Sequence, residues 1–228
     1  MKLRLIAVLS VLFLVSQVYA QEKLVLKNQN EKVSYIIGMD IGSNLKKQSI
    51  DIDPNILLKG VKDALSGEKP LLAEQEIQET MVAFQKEMMA KQAEVGKKNK
   101  AEGEAFLAEN KKKEGVKTLP SGLQYKVIKV GTGKKPKSTD IVIVHYRGTL
   151  INGTEFDSSY KRGQPVNFQV SGVIPGWIEA LQLMQEGAKW QLFIPPNLAY
   201  GEQGAGRDIG PNATLIFEIE LISIQEKK

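Results

Sequence analysis

The sequence predicts an α+β protein: an all-α front half, then an antiparallel sheet covered on one face by a short helix. Three observations carry this. Apolar residues recur at helical spacing through residues 28–113. Alternating or β-branched apolar runs, separated by turn residues, occupy residues 117–226. One helical pattern, residues 176–184, interrupts those runs, and a sheet with one apolar face needs such a cover.

The first element is MKLRLIAVLSVLFLVSQVYA, with Lys2 and Arg4 at its start, an apolar run over residues 5–15 and Val18-Tyr19-Ala20 before Gln21. A basic start, an apolar middle and small residues at the cut predict a signal peptide over residues 1–20. The run falls short of the roughly 20 apolar residues of a spanning helix. No later segment is apolar enough to cross a membrane, so the mature form is expected to be exported without an integral membrane segment.

Residues 21–72 are expected to form a helical domain. Val33, Ile36, Ile37, Ile41 and Leu45 share one helix face, and Gly38 and Gly42, one turn apart, would let another helix approach. Asp53-Pro54 is an N-cap followed by a first-turn proline, Ile56, Leu57, Val61 and Leu65 are apolar, and Gly67 can end the helix. A long linking helix is expected over residues 73–113. Ile77, Met81, Phe84 and Met88 stripe its first half, while its second half is mostly Lys, Glu, Gln and Ala, with Gly96 and Gly103 as weak points. A helix polar all round reads as an exposed spacer, here of roughly 60 Å. This front half has a thin core. Residues 21 to about 90 of two chains are therefore expected to pack as a homodimer.

The back half, residues 117–228, is punctuated for five or six strands. Residues 123–128 alternate, residues 141–146 are apolar and β-branched, and Asn152-Gly153 signals a two-residue hairpin into residues 154–156. Residues 166–170, 190–194 and 215–224 supply further strands, and Trp177, Leu181 and Met184 are spaced to cover the sheet from the one helix.

Composition narrows the function. The chain has 228 residues, 42% hydrophobic and 25% charged, ordinary for one large or two modest globular domains. Lys2 and Arg4 account for two of the five net positive charges, and the remaining lysines alternate with glutamates. That is a solvated surface with no nucleic-acid stripe. The absence of Cys excludes disulfides, thiolate metal sites and cysteine-linked lipid, and no metal or cofactor is expected.

The segments VHYRGTLINGTEFDSS, RGQPVNFQV, GVIPGWIEALQLMQEGAKWQLFIPPNLAYG and IGPNATLIFEIELI, in this order and spacing, resemble the FKBP-type peptidyl-prolyl cis-trans isomerases. The resemblance spans about residues 117–226. A helical front half behind a signal peptide, with RGQPVNFQVSGVIPGW, is similar to the macrophage infectivity potentiator-like and FkpA-like exported subgroup of Gram-negative bacteria. The resemblance implies a twisted antiparallel sheet wrapped on one short helix, N-terminal helices that dimerise, proline-containing or unfolded polypeptides as substrates, and macrolide inhibitors as ligands.

The implied reaction needs no nucleophile. An Xaa-Pro bond isomerises by twisting about C–N against a resonance barrier of about 18–20 kcal/mol. A dry apolar pocket disfavours the planar polar amide relative to the twisted one, and placed donors can hold the rotated carbonyl.

The resemblance puts Trp177 at the pocket floor, with the Ile174 N–H available to a substrate carbonyl. Tyr146, Phe168, Val173 and Phe217 would wall the pocket. Phe156 would face the amide, and Asp157 would be a buried carboxylate beside the rotating carbonyl, held by Tyr146 or Arg162. Tyr200 would offer its hydroxyl, and Ile209 would close the rim. Val166 would be a thin wall, since it stands where many members have an aromatic. The loop EQGAGRD, residues 202–208, is glycine-rich and charged where others are bulky, which bears on substrate preference.

Taken singly, each of these residues reads as core, turn or loop anchor; their joint spacing carries the assignment. Trp190 is expected to be packing alone. His145, the only imidazole, should face away from any site built around Tyr146, because strand side chains alternate. Three readings follow: an isomerase assisting the folding of exported proteins, a dimeric chaperone with incidental isomerase activity, and a surface docking protein.

Overall fold

In the computed structural model, residues 25–225 are described. The expected signal peptide lies outside them. Helix α1 (Gln29–Lys47) begins where Asn28 Oδ1 accepts from the Glu31 N–H at 2.9 Å and Glu31 Oε2 accepts from the Lys27 N–H at 2.5 Å. Such reciprocal caps satisfy the orphan donors of a first turn. None of its residues is buried, and Val33, Ile36, Ile37 and Ile41 are exposed. The chain divides into two units after Asp51, so α1 belongs to the first and everything below to the second.

Helix α2 (Pro54–Ser66) has the expected punctuation. Asp53 Oδ1 accepts from the Asn55 N–H at 2.7 Å, Pro54 opens the first turn, and Gly67 closes the helix in the left-handed region at φ 71°. Helix α3 (Glu74–Asn110) is continuous over 37 residues, roughly 55 Å of helix. Its Ile77, Met81 and Phe84 stripe is exposed.

The distal half of α3 departs from the expectation of an exposed polar spacer. Gly96, Gly103 and Asn110 are its buried residues. A Cβ on Gly96 would lie 3.1 Å from Pro211 Cβ, and one on Gly103 would collide with Thr214 Oγ1. The glycines are places of close approach, where a missing side chain lets the helix backbone reach its neighbour. Farther along, Phe106 meets Phe193 at 6.0 Å between ring centres, Asn110 Nδ2 donates to Gln124 Oε1 at 3.0 Å, and Gln124 Nε2 donates to the Leu107 carbonyl at 2.9 Å.

The sheet has seven strands, one or two more than predicted. They are β1 (Val116–Thr118), β2 (Gln124–Lys129), β3 (Ile141–Leu150), β4 (Glu155–Ser158), β5 (Val166–Gln169), β6 (Lys189–Ile194) and β7 (Leu215–Gln225). The order is β1-β2-β6-β7-β3-β4, with β5 also on β3, and every pairing is antiparallel. The short β1 escaped sequence reading because three residues, VKT, hold no measurable period. The last strand, β7, lies in the middle, between β6 and β3. Strand alternation buries Val142, Val144 and Tyr146 from β3 and Leu215, Phe217, Ile219 and Leu221 from β7 on one face.

The β3–β4 connection corrects the two-residue hairpin. The Leu150 N–H donates to the Thr154 carbonyl at 2.9 Å and the Gly153 N–H to the Leu150 carbonyl at 2.9 Å, leaving a three-residue loop. A two-residue type I′ turn needs positive φ at both central positions, and here Gly153 alone has it, at 86°. Asn152 instead accepts from the Thr154 N–H through its side chain at 3.0 Å.

Helix α4 (Pro175–Leu183) covers the buried face with Trp177, Ala180 and Leu181, followed by Met184. Pro175 sets the first turn, where its missing N–H costs nothing. Gly176 lets the helix meet β6, since a Cβ there would lie 2.7 Å from Ile194 Cγ2. Gly176→Ala should therefore lower stability by about 1–3 kcal/mol through overpacking, although alanine favours helix. A urea midpoint equal to or above wild type would contradict this close approach.

Candidate active site

The entrance to α4 builds the site. Ile174 is the N-cap in extended backbone, and Trp177 follows within the first turn. Trp177 is buried and meets three rings nearly edge to face: Phe217 at 5.1 Å and 87°, Tyr146 at 5.3 Å and 82°, and Phe168 at 5.7 Å and 84°. Each ring comes from a different strand. Gly148 on β3 pairs with Asp157 on β4 and Phe217 on β7. A Cβ on it would lie 2.6 Å from the Phe156 ring and 2.7 Å from Phe217. Its bare backbone lets those two rings meet at 5.5 Å and 81°.

Above this floor lies a cavity of about 710 Å³. Strands contribute Tyr146, Phe156, Asp157, Phe168 and Phe217, and the approach to α4 contributes Gly172, Val173, Ile174 and Trp177. Tyr200 and the loop residues Ala205, Gly206, Arg207, Asp208 and Ile209 complete the lining. Among the described residues no backbone carbonyl accepts from the Ile174 N–H.

On the strand side of the cavity the charged group is Asp157, with Arg207 and Asp208 on the loop side. The Tyr146 hydroxyl donates to Asp157 Oδ2 at 2.5 Å, Arg162 Nη1 donates to Asp157 Oδ1 at 2.5 Å, and Arg162 Nη2 donates to the Tyr146 hydroxyl at 2.7 Å. The Asp157 side chain is 41% exposed, which corrects the expectation of a buried carboxylate. Burial pushes its carboxyl up, but the hydrogen bonds from Tyr146 and Arg162 and the Arg162 charge outweigh it, so the net shift is downward. Tyr146 is raised, first by burial and then by its bond to Asp157.

Ten of the twelve sequence-derived residues line the cavity. Val166 does not: it shares the face of Phe168 on β5, pairs across from Val144 and packs, partly buried, against the core. Arg162 stands behind the wall, touching Asp157 and Tyr146 and not the cavity. The sequence reading missed Gly148 and Gly172, and it treated 205–208 only as a loop. A glycine inside a β-branched run is the signal that could have found Gly148, because it marks close approach in a strand. His145 lies off the cavity: its Nδ1 is 2.9 Å from Ser159 Oγ, and its ring stacks on Tyr160 at 4.6 Å. Trp190 stacks on Tyr125 at 4.3 Å, away from the cavity.

Most of the chain is similar to known proteins. Residues 30–127 match the domain amino terminal to FKBP-type peptidyl-prolyl isomerase, and residues 132–222 match the FKBP-type peptidyl-prolyl cis-trans isomerase family. The Outer membrane protein MIP of Legionella longbeachae is 54% identical over 205 residues, covering 88% of each chain. The chain belongs to the FKBP-type peptidyl-prolyl cis-trans isomerases. The Peptidyl-prolyl cis-trans isomerase Mip of Coxiella burnetii is 46% identical over 89% of this chain and 90% of that protein. The crystal structure of FkpA from Escherichia coli superposes with TM-score 0.63 at 40% identity, covering 88% of this chain and 99% of that one. The protein is thus a peptidyl-prolyl cis-trans isomerase with an FKBP-like α+β fold and acts on proline-containing peptides. Among the described residues, no helix is long and apolar enough to cross a membrane.

The direction of the Asp157 shift sets an expected pH profile. A carboxylate whose folded pKa is depressed holds its partners at every pH above its unfolded value, about 3.9, and loses them as pH falls through the lower folded value. The isomerase kcat/KM should be level from about pH 8 to pH 5 and fall only below about pH 4. A decline centred above pH 5 that disappears in Asp157→Asn would contradict this.

Proposed function

We propose that the cavity takes the Xaa-Pro segment with the proline ring on Trp177 and releases it after rotation, without covalent catalysis. The aromatic floor around Trp177, with an ionised Asp157 at its edge, carries this reading. The planar amide is the more polar state, and the apolar walls solvate it poorly. The twisted amide loses less on entering, so the pocket binds it preferentially. About 7 kcal/mol of such preference would accelerate exchange roughly 10⁵-fold. The Ile174 N–H and the Tyr200 hydroxyl are the donors for substrate carbonyls, and Asp157 lies beside the rotating carbonyl with Phe156 across the amide. Arg162 acts by holding Asp157 and Tyr146. Macrolide FKBP inhibitors would occupy the same floor.

The test is exchange of a Leu-Pro peptide by the full chain. Asp157→Ala should lower kcat/KM about 10–100-fold and Tyr200→Phe about 3–10-fold, with urea midpoints near wild type. Wild-type rates in both folded variants would overturn the assignment of those residues.

We further propose that the protein is exported, resides in the periplasm or at the outer membrane, and helps exported chains fold as a homodimer joined through its N-terminal helices. Exposed apolar faces on three successive helices support the dimer, because a lone chain would leave Ile36, Leu65 and Met81 in water. The same faces favour a second reading, a chaperone whose paired helices hold unfolded clients. Light scattering should give the mass of two chains. Met81→Lys with Ile36→Glu should give one chain, keep peptide isomerisation within about twofold, and lose suppression of client aggregation. Suppression that survives in the monomer would remove the cleft between helices as its cause.

A further inference from the structure

Five positions of α3, Gly96, Asn99, Gly103, Phe106 and Asn110, follow one another at steps of three and four, the spacing of a single helix face. The first three lie on residues 210–214. Asn99 Nδ2 donates to the Pro211 carbonyl at 2.8 Å, Gly96 faces Pro211, and Gly103 faces Thr214. From the other side, a Cβ on Gly210 would lie 3.1 Å from Asn99 Nδ2 and 3.4 Å from Val95 Cγ1. Interior glycines disfavour a helix, yet both sit where the segment 210–214 comes closest.

That segment is the anchored end of the cavity rim. Ile209 precedes Gly210 directly, and Phe217 follows on β7. The Asn212 N–H donates to the Gly201 carbonyl at 2.8 Å, which ties the same segment to the residue after Tyr200. Between these ties the loop holds left-handed backbone at Gly201, Gly204, Gly206 and Asn212. The Ala205–Ile209 bridge ties it internally, with N–H to carbonyl distances of 2.8 and 3.2 Å. A glycine-rich loop loses much backbone entropy on ordering, so its position depends on what it leans against.

We propose that α3 is a working part of the isomerase pocket: Asn99 and Gly103 are positioning residues that set residues 201–214, and through them Tyr200 and Ile209, for peptide binding. This rests on the reading that Tyr200 and Ile209 bound the substrate site. The floor residues Trp177 and Phe168 pack on each other and on Tyr146, and Trp177 also on Phe217, so a displaced rim leaves the floor in place and weakens peptide binding in ground and transition states alike. Such a loss raises KM and leaves kcat.

The test uses the full chain with two peptides that differ in the residue before proline, read by exchange NMR. Asn99→Ala and Gly103→Ala should each raise KM about fivefold with kcat within about twofold, and amide exchange should quicken at 201–212 and not in β3 or β7. Thr214 Oγ1 has no hydrogen-bond partner among the described residues, so Thr214→Ala removes the obstacle without breaking a bond. The double variant Gly103→Ala/Thr214→Ala should therefore return KM toward wild type. If Gly103→Ala does not fold, Asn99→Ala and the isosteric Asn99→Asp, which removes the donor, decide the matter. Wild-type KM in the Asn99 variants, with catalysis lost in Asp157→Ala and Trp177→Leu, would overturn the role of α3 and leave the pocket standing. Undiminished catalysis in Asp157→Ala and Trp177→Leu would overturn the pocket reading itself.

Discussion

Trp177 can sit at the mouth of α4 because three strands deliver rings around it and Gly148 leaves room for one of them, Phe217. Phe217, Tyr146 and Phe168 approach it at centre distances of 5.1–5.7 Å, each contact worth about 0.5–1.5 kcal/mol beyond area burial. These rings are core on one side and cavity wall on the other. The pocket is therefore a portion of the hydrophobic core left uncovered, and its rigidity is that of the core. Pro175 and Gly176 serve the same end: the proline starts the helix without an orphan donor, and the glycine lets it lie against Ile194.

The polar part of the site works at a smaller energy. The Arg162–Asp157 pair is more than two-fifths exposed on both sides, and solvent screening leaves such pairs little net effect on stability. Its effect is on orientation. Arg162 and Tyr146 each occupy one Asp157 oxygen, which fixes the carboxylate plane and keeps it ionised beside an apolar floor. The proposed rotation without a covalent step asks for little more, since a charge in fixed position would interact differently with two amide geometries without moving itself.

Much of this was legible one residue at a time. Asp53, Pro54 and Gly67 mark α2 by local rules, because caps and φ preferences depend on the immediate chain. The alternation of Val142, Val144 and Tyr146 reports a buried face for the same reason, and it alone turns His145 away from the pocket. Reading failed where the relevant partner is distant in sequence. The docking face of α3 consists of Gly, Asn, Gly, Phe and Asn, which hydropathy scores as a polar spacer, and its partners Pro211 and Thr214 lie more than a hundred residues away. Arg162 and Val166 were assigned by family spacing, and spacing does not say how far a side chain reaches.

The sequence by itself determined the helical front half, the period-two strands, the short covering helix and the set of aromatic residues available for a pocket. These follow from backbone propensity and from the periodicity of burial, both local properties. Only the tertiary structure decided that Gly148 lets Phe156 and Phe217 close together, that Asp157 is half-exposed between Tyr146 and Arg162, and that α3 leans on the rim loop through Asn99 and Gly103. Each of these depends on the distance between backbones remote in the chain, and that distance is set by the packing of the whole sheet.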